Sequence, residues 1–185
     1  MIKNLILHFN LVNKHRYKVF KLCSKAGIPF RGLMHDLSKY SPIEFFEGVK
    51  YYNGGYSPIK NCKKENGYSK AWLHHKGRNK HHYEYWYDYN APEETPVIPY
   101  KYTVEMICDS LAAGMTYQKE NWTDDYQLSY YKKDRVKARI NPIIDKILLE
   151  VYESVATYGI DSVINKKTLK KIYEKHAGDV NDKKY

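Results

Sequence analysis

Apolar residues recur at three- and four-residue steps from the start of the chain. Leu5, Phe9, Val12, Val19, Leu22, Cys23 and Ala26 share one helical face, and Gly27 stops the run. This predicts a first helix over residues 3–26, followed by a short one over 31–39. Ser41-Pro42-Ile43-Glu44 reads as a capping box with Pro at the first helical position, so another helix runs to about residue 52, where Asn53-Gly54-Gly55 ends it. Residues 53–67 read as a polar loop, and a helix over 69–87 carries a histidine cluster. Pro92, Pro96 and Pro99 make residues 88–100 a connector. Helices over 101–118, 124–136, 142–158 and 166–176 follow, with a frayed tail after Gly178. No segment alternates long enough to require a sheet. The fold class is therefore all-α, one helical bundle spanning residues 1–185, with its core at about 3–160 and a basic helix and tail at 161–185.

Composition adds that the chain folds. Its 185 residues suffice for one domain with a real core, and 43% are apolar, with 20 Tyr that can bury a ring and keep the hydroxyl wet. No apolar run reaches the ~18 to 20 residues that span a bilayer. The first residues carry Lys, Asn and His throughout, without the unbroken apolar stretch of a signal peptide. A soluble, cytoplasmic protein with no membrane partner is expected. Cys23, Cys62 and Cys108 are odd in number and lack metal-site spacing, so they read as free thiols, with Cys23 and Cys108 in packing roles. The formal charge of +10 is spread over several regions. Residues 60–80 hold seven Lys/Arg against Glu65, and residues 132–139 hold five against Asp134. Such a surface attracts phosphates of any kind and does not separate a nucleotide from a nucleic acid.

Candidate chemistry starts at His35-Asp36, within His35-Asp36-Leu37-Ser38-Lys39. Adjacent imidazole and carboxylate groups can both reach one divalent ion. His15 falls on the inward face of the first helix, and His8 lies seven residues earlier on that face, as a substrate-facing or supporting group. Arg16 points about 100° away from His15, towards solvent or a carboxylate. Asp109 lies in a largely apolar helix, where an ionised carboxylate is costly to bury unless a cation meets it. Glu105, one turn earlier on the same face, is a candidate for orienting water or metal. In Trp72–Trp86, His74 and His81 align on a helix, as do His75 and His82, but about 10 Å apart along the axis. Either the helix breaks near Gly77, or two ions are present, or some of these histidines bind substrate. Lys76, Arg78, Asn79 and Lys80 interleave them, which suits an anionic substrate.

The order His15, His35-Asp36, the histidine cluster, then Asp109 resembles the HD superfamily of metal-dependent phosphohydrolases over roughly residues 8–115. The nearest likeness is to a group of uncharacterised bacterial and phage proteins sharing these two segments. The resemblance implies an HD-type helical domain and an enzyme that hydrolyses a phosphoester, most simply a nucleotide or related small phosphate, with metal-activated water. It implies His15, His35, Asp36 and Asp109 as ligands of one ion, with His75, His81 and His82 as ligands of a second. It implies one or two ions of iron, manganese, cobalt or zinc. Asp36, Lys39 and Glu105 would be catalytic, and Lys39, Lys76, Arg78, Asn79 and His8 would bind substrate. Ser38 stands where the lysine-bearing branches of the superfamily carry Gly. Lys39 stands where the 5′-nucleotidase branch has an acid, and the tripeptide of cyclic-dinucleotide phosphodiesterases is absent. The alternatives are a di-iron oxygenase on the same fold and a non-catalytic, basic nucleic-acid-binding module.

Overall fold

A computed structural model describes residues 2–135 and 138–179. Among them all regular structure is helical: α1 (Ile2–Lys25), α2 (Pro29–Met34), a 3-10 turn (Leu37–Tyr40), α3 (Pro42–Lys50), α4 (Pro58–Asn66), α5 (Lys70–Lys76), a second 3-10 turn (Tyr83–Trp86), α6 (Tyr100–Gln118), a third (Lys119–Asn121), α7 (Tyr126–Asp134), α8 (Pro142–Tyr158), α9 (Ile160–Val163) and α10 (Lys166–Ala177). The all-α reading is correct.

α6 is the axis of the domain, with 11 of its 19 residues buried. It packs against α1, α7 and α10, and α8 packs against α7, α9 and α10. Local signals set the ends of the later helices. Asn141 caps α8 by accepting from the Ile143 amide (2.9 Å), with Pro142 at its first position, and Gly159 closes it. Asn165 caps α10 through the Thr168 amide (2.9 Å). The separation of a core at 3–160 from a C-terminal appendage does not hold. Leu169, Ile172 and Tyr173 of α10 are buried, and the Tyr173 hydroxyl donates to the Ile98 carbonyl at 2.7 Å. The tail predicted past Gly178 lies almost wholly outside the described residues.

Three predicted elements come out differently, and two of them shape the site. The helix over 31–39 is two pieces, because His35 is extended (φ −53°, ψ 131°) and Asp36 is left-handed (φ 55°, ψ 30°). The helix over 69–87 ends at Gly77. The Asn79 amide and side chain both donate to the His75 carbonyl (3.1 and 2.8 Å), and the Trp86 indole donates to the Lys80 carbonyl (2.7 Å), which an unbroken helix would offer to the amide four residues on. The polar loop over 53–67 contains α4, whose polarity hides it, although Pro58 at its start and left-handed Gly67 at its end mark it out. Finally, Ser41 makes no side-chain cap to α3, and Glu44 is buried, facing the histidine cluster instead of the α3 backbone.

Candidate metal centre

The centre forms where four elements meet: α1 brings His15, the α2 turn brings His35 and Asp36, α5 and the turn after it bring His75, His81 and His82, and α6 brings Glu105 and Asp109. Asp36 is one of two described non-glycine residues with positive φ, a conformation that costs an L-residue free energy and persists only where its surroundings enforce it. Arg16 enforces it. Its guanidinium donates to the carbonyls of Leu33 and His35, both at 2.8 Å, and to the Tyr40 hydroxyl at 3.1 Å. The arginine expected to meet solvent or a carboxylate is instead the brace of the turn. Gly32 lets α2 approach, since a Cβ there would lie 2.6 Å from the Cys23 Cβ.

The turn aims the two oxygens of Asp36 at different imidazoles. Oδ2 lies 3.2 Å from His35 Nε2 and 3.9 Å from His15 Nε2, and Oδ1 lies 3.3 Å from His75 Nε2 and 3.4 Å from His81 Nε2. Asp109 closes the first set, with Oδ1 3.0 Å from His15 Nε2 and 3.4 Å from His35 Nε2, and its Oδ2 is 3.7 Å from His81 Nε2. Two groups of ligand atoms share Asp36, His15/His35/Asp36/Asp109 and Asp36/His75/His81/His82, each within 4.8 Å of one another, and a third, His35/His81/Glu105, lies behind them. Both oxygens of Asp36 and the Nε2 atoms of His35, His81 and His82 are buried without a hydrogen bond. Metal–ligand bonds of about 2.0 to 2.2 Å in a tetrahedral site put neighbouring donor atoms roughly 3.3 to 3.6 Å apart. The observed separations scatter about that value, so the donor set fits a transition-metal ion.

Carboxylates behind the imidazoles fix their tautomers. Glu105 Oε1 takes the Nδ1–H of His35 (3.1 Å) and lies 3.2 Å from Nδ1 of His81, and its other oxygen pairs with Arg31. Glu44 takes Nδ1–H from His75 (2.8 Å) and from His74 (2.6 Å). Each Nε2 lone pair is then left for a cation, the arrangement seen around metal-bound histidines. Burial opposes charge throughout; mutual pairing overcomes it at Asp36, Asp109, Glu105 and His35, while burial prevails at His15 and His82. His35 and Lys39 hold the Asp36 carboxyl well below its usual range, and His15 and His35 do the same for Asp109. Hydrogen bonds from His35 and His81 bring Glu105 to about 2. Asp36 and Asp109 push His35 well above the ordinary imidazole range, while burial and the adjacent His81 depress His82.

A family model described as "Family of unknown function (DUF5662)" matches residues 5–154. The chain belongs to that family. No curated protein and no solved structure matches it. The DUF5662 match spans every ligand atom of both groups and ends inside α8, leaving α9 and α10 beyond it.

The DUF5662 fold gathers His15, His35, Asp36, His75, His81, His82 and Asp109, and corrects other assignments. Glu105 touches the far sides of His35 and His81, so it positions imidazoles where a catalytic role was expected. Asn79 donates to Ser38 Oγ (3.0 Å) beside His75 Nδ1, and so supports a ligand where substrate contact was expected. Arg78 is exposed and reaches back to the His74 carbonyl at 3.4 Å, while Lys76 lies near Lys63 and Glu84. Lys76 lies about 100° round α5 from His75, and Arg78 follows the break at Gly77, so neither joins the centre. His8 is buried between Phe45 and Tyr52, outside both ligand groups, and burial with the nearby Lys39 lowers it to about 4, leaving a neutral ring. Lys39 is at the centre, half-buried, 3.1 Å from Asp36 Oδ2. His74 joins neither group. Arg31 escaped the sequence reading, as did the roles of Glu44 behind the histidines and of Arg16 as a brace. Glu44 had one signal, an acid beside Phe45 in an apolar helix, and its capping-box spacing offered a simpler explanation.

Proposed function

We propose that the protein is a metal-dependent hydrolase of phosphoesters, of the HD type that its motif order resembles, acting on a nucleotide or similar small phosphate. The observation that carries this reading is the Asp36 carboxylate, which offers one oxygen to each of two imidazole sets. His15, His35, Asp36 and Asp109 would hold one divalent ion, and Asp36, His75, His81 and His82 a second. Mixed nitrogen and carboxylate donors suit iron, manganese, cobalt or zinc. Such ions, when bound, supply Lewis acidity and bring the pKa of water towards neutrality.

The chain's own residues prepare that chemistry. Asp36 stays ionised and shared, and Glu44 and Glu105 keep the Nε2 lone pairs forward. The floor of the site is closed, while Asp109 and Lys39 keep 18% and 25% of their side chains exposed, so substrate reaches the centre past these two. Asp36 and Asp109 raise the Lys39 pKa against the pull of burial, so its ammonium stays charged and can neutralise a phosphoryl oxygen. A compact, fully charged ammonium at the mouth favours a phosphate over a neutral substrate.

Metal analysis of the purified chain and phosphate release from a panel of phosphoesters test this. The parent should carry one or two ions and release phosphate. Asp36→Ala should lose both while its helical circular dichroism stays unchanged, and Lys39→Ala should keep the metal and lose turnover. Phosphate release by Asp36→Ala at the parental rate overturns the reading. Consumption of dioxygen without phosphate release would assign the same carboxylate-sharing centre to oxygenase chemistry.

A further inference from the structure

Helical spacing puts Leu5 and Phe9 in the core-facing stripe of α1, yet both are exposed. With Ile2 and Ile6 they form an outward apolar stripe at i, i+3, i+4 and i+7. α2 carries a second exposed apolar set, Phe30, Leu33 and Met34, and Leu37 is exposed in the turn after the break at His35-Asp36. α2 lies along α1 beyond Phe9: Gly32 lies against Phe20 and Cys23 of α1, Arg16 of α1 holds the Leu33 carbonyl, and the Phe9 ring is 6.1 Å from that of Tyr40 in the turn that follows α2. All eight side chains are at least 40% exposed.

The charge around this face selects what covers it. The first 43 residues hold eight Lys/Arg and a single acid, Asp36, which is buried in the metal centre. Lys18, Lys25, Arg16, Arg31 and Lys39 are engaged within the fold. Lys3, Lys14 and Lys21 are exposed, about 100° round α1 from the apolar stripe. Symmetric pairing of two copies through this face would bring these lysines together with no acid to meet them. An anionic bilayer accepts the apolar side chains at its acyl boundary and neutralises the lysines at headgroup level.

We infer that the α1–α2 face is a peripheral membrane-binding surface that seats on anionic lipid. No helix among the described residues is long and apolar enough to cross a membrane, so the protein lies on the surface with α1 in the interfacial plane. The expectation of no membrane partner came from the lack of a spanning segment, which does not bear on a helix lying flat. The metal chemistry is not involved, and either reading can fail alone.

Co-sedimentation of the full chain with vesicles tests this, using phosphatidylcholine alone and phosphatidylcholine mixed with phosphatidylglycerol, at low and high salt. Binding to the anionic vesicles only, weakened by salt, is expected. Phe30→Gln/Leu33→Gln and Lys14→Glu/Lys21→Glu should each bind roughly tenfold more weakly or worse. All four side chains are exposed, so native circular dichroism is expected of both variants. Absence of binding to anionic vesicles overturns the inference, as does undiminished binding by Phe30→Gln/Leu33→Gln. A dimer in solution that this variant dissociates, with no vesicle binding by the parent, assigns the face to a second copy and also overturns it.

Discussion

Glu105 shows how far one buried carboxylate reaches. It is nearly inaccessible, and it touches Arg31, His35 and His81 at once. Its negative charge raises the basicity of two imidazoles whose other nitrogens face Asp36 and Asp109. Glu105→Gln preserves shape and removes that charge, which leaves Arg31 without its partner. Metal affinity should fall about 10- to 100-fold, the usual effect of losing such a supporting carboxylate. Competition against a fluorescent chelator measures it, and unchanged affinity would show that Glu105 serves only to anchor Arg31. Asp36 teaches a related lesson. Its position beside His35 is plain in the sequence, but its sharing between two imidazole sets depends on a left-handed backbone that local propensity disfavours.

At the scale of elements, the site depends on the close approach of α2 to α1. A Cβ on Gly32 would meet the Cys23 Cβ at 2.6 Å and the Phe20 Cα at 3.0 Å, and a backbone atom cannot rotate away. Gly32→Ala should destabilise the protein by about 1 to 3 kcal/mol, as overpacking does, and lower Tm by roughly 2 to 4 °C per kcal/mol for a chain this long. Because α2 leads straight into His35 and Asp36, metal affinity should fall with it. Gly55→Ala is the control, since its Cβ would have only the Asn53 Oδ1 within reach, at 3.9 Å. Equal melting temperatures for the two variants would show that α2 is free to shift. α5 makes the complementary point, because its early end brings His82 back beside His75, ring centroids 4.9 Å apart. Ten ångströms of helix would have kept them apart.

For the whole molecule, tyrosine dominates the response to alkali. Tyr83, Tyr131 and Tyr152 have pKa values raised by burial, with Glu84 adding for Tyr83 and Asp145 for Tyr131, and burial with Asp134 pushes Tyr130 up to about 12. In the unfolded chain tyrosines ionise near 10. Their raised folded values mean that the native state retains protons the unfolded chain releases. The associated stability is complete below about pH 10 and is lost as pH rises through the folded values. Tyrosinate absorbance from these residues should therefore appear together with loss of helical circular dichroism, above pH 10. Full ionisation with the helical signal intact would overturn this.

The sequence by itself determined the helical class, most helix ends and the ligand types. Apolar periodicity, Asn caps and Gly or Pro stops act within a few residues, so they can be read locally. The grouping of His15, His35, Asp36 and Asp109 came from the resemblance of the motif order to the HD superfamily, and the cost of burying an ionised Asp109 on an apolar helix agreed with it. Tertiary structure alone decided which histidines meet, that Glu44 and Glu105 stand behind them, that Lys76 and Arg78 turn away, and that Leu5 and Phe9 stay exposed. Each of those outcomes depends on the helix break at Gly77, on a brace from Arg16, or on how neighbouring helices cross. Such contacts join residues tens of positions apart, and no periodicity along the chain encodes them.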